Sequence, residues 1–371
     1  MDLRRIAALG LAGLLAGLLT ACGAKAPPSP GASAPSNPGN LLMGRTSLGR
    51  AKAPDFTLTN QFGQKVSLSD LRGKVVLLAF TDSECTTVCP LTTASMVAAR
   101  KLLGAAGRHV EIVNVDANPD AITVQDVYDY ADAHGILHSS EFLTGSLAQL
   151  KQVWKLYGIS VQVIAGNIDH TPALFLIDQQ GRERYLYLTN GRYGVVGAES
   201  KVLAYDVAHV LPPGTATAPA LPKSTANPLG SAGQQVTLPA LAAGGPSVTL
   251  TAGQPRIVVF FGSWLPDVVE QLDALDGYAA WAKQHGAPPL LAVDEAVTEP
   301  SLAVARSRLA ALKVDYPLVV DSTGSVADAY RVQDLSWIAF RSAEGKLIDS
   351  HDSWVPVANL EQQVRKDYRL P

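Results

Sequence analysis

Cysteine is nearly absent from this chain: its 371 residues hold three, Cys22, Cys85 and Cys89. No thiol follows Cys89, so the C-terminal half cannot run dithiol chemistry. Charge is sparse as well. Charged residues make up 17% and the formal net charge is -3, which leaves no large basic field and argues against nucleic acid as a partner. Long apolar runs are also missing. The N-terminal IAALGLAGLLAGLL is rich in Gly and Ala and falls short of the roughly 20 residues a membrane-crossing helix needs.

That run follows Arg4 and Arg5 and ends in Leu19-Thr20-Ala21-Cys22, a pattern that resembles a bacterial lipoprotein signal over residues 1–21. The resemblance implies cleavage before Cys22, acylation of its thiol, and a lipid anchor holding the rest of the chain to a membrane on the extracytoplasmic face. Residues 22–45 are mostly Pro, Ser, Gly, Ala and Asn and read as a disordered tether, because they offer almost no large apolar side chain to bury. A second breaker-rich stretch, residues 212–233, separates two segments of about 165 and about 140 residues, each an ordinary domain size. The expected organisation is two domains on a leash, 46–211 and 234–371.

Both segments alternate short β-branched apolar runs with amphipathic stretches, which predicts an α/β fold with helices covering both faces of a central mixed sheet. In the first, APDFTLTNQFGQKVSL reads as an opening hairpin and KVVLLAF as a buried strand. PLTTASMVAARKLL then reads as a helix with Pro90 in its first turn. A strand at HVEIVNVD follows, then helices at residues 123–133 and 146–157, strands at 173–178 and 184–188, and a closing helix over 197–210. The order is thioredoxin-like.

The candidate chemistry lies in TDSECTTVCP, which holds Cys85 and Cys89, and GNIDHTPALFLID, which holds His170. Two thiolates and a neutral imidazole form a set of two soft ligands and one borderline ligand, which accepts Cu(I) and can hold Cu(II). On cysteine count alone, a stabilising disulfide stands level with a metal or redox pair. The three-residue spacer is about one helical turn, so the sulfurs can converge on an ion or close into a bridge. Cys89 is expected just ahead of a helix start, where the dipole favours a thiolate. The remaining histidines, His109, His134, His138, His209, His285 and His351, have no comparable surroundings and read as solvated or structural.

Residues from about 52 to about 211 resemble an Sco/SenC-family domain. The carriers are, in order, APDFTLTNQFGQKVSLSDLRGKVVLLAF, the cysteine run with its LTTA, VNVDANPD, FLTGSLAQLKQVWKLYGI and DHTPALFLIDQQG. The resemblance implies copper bound by Cys85, Cys89 and His170, with Asp169 beside the histidine as a supporting residue. It also implies a role in building the dinuclear copper centre of a respiratory cytochrome c oxidase, with the oxidase's copper-centre subunit as partner. Pro172 stands where thioredoxin-like folds place a cis-proline facing the cysteines; a trans proline opening a strand is the alternative. The chain departs from the family at Thr86 and Thr87, which replace a proline and an acid, and that alters the charge beside the site without removing a ligand. Asp116 and Asp120 keep step with family acids and are expected to play a supporting role, or Asp120 to act as an N-cap.

The second segment resembles thioredoxin-like domains of the TlpA/ResA type, but Trp264-Leu265-Pro266-Asp267-Val268 stands in place of Trp-Cys-Pro-x-Cys, and Ser336 stands where a cis-proline is usual. It reads as a degenerate domain kept for binding, spacing or stability. Leu265 and Val268 either form a docking face or pack under their own loops. The leading functional reading is a membrane-anchored copper metallochaperone. The alternatives are a thiol-disulfide oxidoreductase served by a thioredoxin-like reductant, a peroxidase, and a binding protein with a structural disulfide. The cysteine run is not a peroxidatic motif, which ranks the third low.

Overall fold

The structure, a computed structural model, describes residues 43–189, 196–222, 235–332 and 334–371. The lipoprotein-signal and acylation readings, including Cys22, lie outside the described residues. Among those described, no helix is long and apolar enough to cross a membrane.

The first half runs β1 (Thr46–Ser47), β2 (Thr57–Asn60), β3 (Lys65–Ser67), β4 (Val75–Thr81), α1 (Val88–Leu102), β5 (Val110–Asp116), α2 (Val124–Ala133), β6 (Glu141–Thr144) and α3 (Leu147–Tyr157). It continues with the hairpin β7 (Val161–Ile164) and β8 (Asn167–His170), then β9 (Ala173–Ile177), β10 (Glu183–Leu188) and α4 (Val196–Val210). The second half has β11 (Val236–Leu238), β12 (Val248–Leu250), β13 (Arg256–Phe261), α5 (Val268–His285), β14 (Leu290–Asp294) and α6 (Leu302–Arg308). After these come β15 (Leu318–Val320), α7 (Ser325–Ala329), β16 (Trp337–Arg341), β17 (Leu347–His351) and α8 (Val357–Asp367).

Strand β4 is buried along its whole length, as expected of a β-branched run in the middle of a sheet covered on both faces. Its alternate residues serve two different layers. Val75, Leu77 and Ala79 pack with Met96 of α1 and Leu203 of α4, while Val76, Leu78 and Phe80 pack with Leu150 and Trp154 of α3. Helices α2 and α3 begin where hydroxyl caps place them: Thr123 and Ser146 each accept from the backbone three residues on, in complete capping boxes. Thr123, not Asp120, is therefore the N-cap of α2; the Asp120 N–H is held by Asn118 Oδ1.

The larger sheet has the order β1-β10-β9-β4-β5-β6-β2-β3 and the smaller one β15-β14-β13-β16-β17. Their cores match strand for strand. In each, the first strand (β4 or β13) runs parallel to the next (β5 or β14) and antiparallel to β9 or β16 on its other side. A β-α-β unit followed by β-β-α is the thioredoxin-like arrangement, and here it occurs twice.

The two halves pack against each other. The described residues all fall in one compact unit. Leu91 and Ala94 of α1 and Val196 of α4 belong to the same apolar cluster as the core around β13. Across the junction, the His134 ring meets Trp264 edge to face at 4.4 Å, and its Nδ1–H donates to Thr298 O at 3.4 Å. Gly197 N–H donates to Asp328 Oδ2 at 3.2 Å, and Arg308 Nη1 donates to Ala133 O at 3.5 Å. Leu265 and Val268 are buried in the second half's own core; Trp264, between them and β13, is the side chain that reaches across.

Candidate metal centre

The site lies at the C-terminal end of β4. Asp82 shapes the turn that presents the first cysteine: its Oδ1 accepts from Glu84 N at 2.9 Å and Asn118 Nδ2 at 2.8 Å, and its carbonyl accepts from Cys85 N at 3.1 Å. Helix α1 starts at Val88, so Cys89 sits inside its first turn rather than ahead of it. Its sulfur is buried against Val127, Tyr130 and Phe142. His170 closes the β7–β8 hairpin, where it pairs with Val161, and so hangs over the cysteine loop from the opposite side.

Cys89 Sγ lies 3.9 Å from His170 Nε2, and Cys85 Sγ lies 3.5 Å from Thr87 Oγ1. Neither thiol is bridged. The other ring nitrogen, His170 Nδ1, is 3.2 Å from Thr171 O. A carbonyl can only accept, so Nδ1 carries the hydrogen and Nε2 turns its lone pair to the cysteine sulfur. Burial also pulls the imidazole below its ordinary value, which keeps it neutral and able to ligate at neutral pH.

The thiols divide their proton unequally. A hydrogen bond from Cys89 pulls Cys85 down, whereas the same contact and burial push Cys89 up. A cysteine just ahead of a helix start is expected to carry the lowered value. The structure moves it to Cys85, because the contact between the two thiols favours the Cys85 thiolate and burial among apolar side chains adds to the rise at Cys89. Metal binding at this pair therefore has to release a proton from Cys89.

A cavity of about 260 Å³ joins Asp82, Cys85, Cys89, Asp169, His170, Pro172 and, from the second half, Asp334. The three proposed ligands and both supporting residues thus line one space. Among the described residues, no three His, Cys, Asp or Glu side chains already stand at metal-holding spacing. The Thr171–Pro172 bond is not cis; among the described residues the cis peptide is Leu335–Ser336, at the matching place in the second half. Asp116 and Asp120 sit outside the cavity. Asp116 Oδ1 accepts from Asn118 N at 3.0 Å, which in turn steadies Asp82, and burial raises its carboxyl to about 8.

Two contributors were not assigned from sequence. Asp82 stands within the quoted cysteine run, and a carboxylate ahead of a tight loop is a recognisable turn former. Asp334 has no local signal at all. Burial and the neighbouring Asp352 raise its carboxyl to about 6.

Residues 45–196 match the SCO1/SenC family. Over these residues the chain is similar to SCO1/SenC domains. The chain is 34% identical over 91 residues to an SCO1 protein homolog of Bacillus subtilis, a match spanning 24% of this chain and 47% of that one, so about half of that relative's length is covered. Among solved structures, the chain is similar to Bradyrhizobium japonicum ScoI with copper bound, at 23% identity and a TM-score of 0.38, covering 43% of this chain and all of that one. It is also similar to apo Sco1 of Thermus thermophilus, at 28% identity and a TM-score of 0.37, covering 44% and 94%. The SCO1/SenC match spans the cysteine run, the histidine hairpin and the strands that hold them.

Proposed function

We propose that this protein is a copper metallochaperone: it binds one copper ion through Cys85, Cys89 and His170 and hands it to the copper-centre subunit of a cytochrome c oxidase. It would work outside the cytoplasm, tethered to the membrane through an acylated Cys22. The observation that carries the reading is the donor set. Two unbridged thiols and a neutral imidazole whose Nε2 lone pair faces one of them line a single cavity in a domain similar to SCO1/SenC domains.

The residues divide the work. Cys85 gives up its proton first, His170 Nε2 is ready without proton loss, and Cys89 loses its proton as the ion enters, so uptake weakens as pH falls. Thr171 O fixes the ring tautomer, as a neighbour of a ligating histidine does. Thr87 puts a hydroxyl rather than a carboxylate against the Cys85 sulfur. Because Cys85 is half-buried rather than sealed in, a partner's ligands can displace the site's own.

Copper titration of the reduced protein tests this, beside His170→Ala and Cys85→Ser. The expected result is one ion per chain with a thiolate-to-copper charge-transfer band, and affinity lowered at least about tenfold in each variant. No binding by the reduced wild type would end the metallochaperone reading. A second reading, thiol-disulfide exchange, is favoured by the split pair itself: a lowered Cys85 attacks and a buried Cys89 resolves. It needs no histidine, so a His170→Ala protein that loses copper yet keeps full reductase activity would separate the two.

A further inference from the structure

The two sheets can be aligned residue by residue through their registers. Thr81 pairs with Asp116 and Ala79 with Leu174 in the first; Phe261 pairs with Asp294 and Val259 with Ile338 in the second. Four positions beyond Thr81 is Cys85, and four beyond Phe261 is Leu265. Four positions before Leu174 is His170, and four before Ile338 is Asp334. The residue that answers to the histidine in the second fold is thus an aspartate. That aspartate does not remain in its own half: it lines the cavity that holds Cys85, Cys89 and His170.

The second half is fixed in that place by more than one contact. Trp264 against His134, Asp328 at Gly197 and Pro300 close against Gly135 tie the two halves together. Leu335, Ser336 and Trp337, which follow Asp334, are buried and anchor its loop. The cysteine loop itself brings only Thr86, Thr87 and Val88 between its cysteines. Asp82 Oδ1 is committed to Asn118 and the Glu84 N–H. The second half therefore adds a carboxylate to a site whose own loop supplies none between the cysteines.

We propose that Asp334 is a further residue of the copper site, contributed by the second half, whose carboxylate faces the bound ion and favours Cu(II) over Cu(I). The inference rests on the copper reading above. A fixed negative charge stabilises the more highly charged ion more, so the preference follows from placement alone. It also gives the cysteine-free half a task that requires no sulfur.

The test uses the full chain with Asp334→Asn and, as the charge-keeping control, Asp334→Glu. Affinities for Cu(II) and for Cu(I) are measured separately. Asp334→Asn should lose about tenfold or more in Cu(II) affinity, with Cu(I) affinity much less changed, and Asp334→Glu should recover most of the loss. A metal-free readout accompanies it: the rate of alkylation by anionic iodoacetate divided by the rate with neutral iodoacetamide, which reports the charge facing the thiols. That ratio should rise by up to about fivefold in Asp334→Asn. Copper binding with an unchanged Cu(II) to Cu(I) preference overturns the inference and leaves the copper reading standing. A wild type that binds no copper overturns both, and an unchanged alkylation ratio refutes the placement of the carboxylate.

Discussion

Gly135 and Gly158 share a backbone φ of +67°, yet only one of them meets the other half of the molecule. A Cβ added at Gly135 would lie 2.5 Å from Pro300 Cα and 3.1 Å from its Cβ, whereas at Gly158 nothing lies within 4 Å. Alanine at Gly158 should therefore cost the left-handed backbone penalty alone, about 1–2 kcal/mol. At Gly135 the same penalty applies, and the clash with a backbone atom adds about 1–3 kcal/mol, because neither loop can yield the way a flexible side chain does. Urea unfolding of the full chain should place Gly135→Ala at least about 1 kcal/mol below Gly158→Ala. Limited proteolysis should separate the halves faster in Gly135→Ala. Equal losses in the two variants would refute the docked arrangement.

His134 is buried at the same junction, and desolvation lowers its value from 6.5 to about 4. The unfolded chain then binds more protons than the folded one between those values. Its contribution, roughly 3 kcal/mol, is present above about pH 6.5 and lost as pH falls toward 4; stability against pH should flatten in that window in His134→Phe relative to wild type. Asp116 has the opposite sign. Its carboxyl is raised from 3.8 to about 8, so its contribution is complete below about pH 4 and is lost as pH climbs to about 8. Asp116→Asn should lose less stability than wild type between about pH 4 and 8 by chemical denaturation, and an identical slope in that window would contradict the assignment.

Much of the first half could be read from local rules. Strand β4, with its continuous apolar run, and helices α2 and α3, with their hydroxyl caps, fall within a residue of where the sequence places them. Strands β6 and β7–β8 were not anticipated. Each strand has four residues, and the β7–β8 hairpin is mostly exposed, so no burial alternation marks it. Only the Ala165-Gly166 turn, with both φ positive, could have signalled it. His170 is held at the end of β8.

The candidate donors stand out in the sequence because thiols are rare in this chain. The division of charge between the cysteines was not legible, since it depends on the contact between the two thiols and on burial at Cys89. Docking of the second half was the least legible. Trp264 and Asp334 act through contacts with residues far away in sequence, and such contacts leave no periodic trace.

The central claim concerns which atoms hold the ion, and copper K-edge X-ray absorption on the loaded protein reads them directly. The expected spectrum shows two sulfur neighbours and at least one imidazole nitrogen, with the nitrogen signature lost in His170→Ala and one sulfur lost in Cys85→Ser. A spectrum of oxygen and nitrogen neighbours without sulfur, unchanged in both variants, would contradict it.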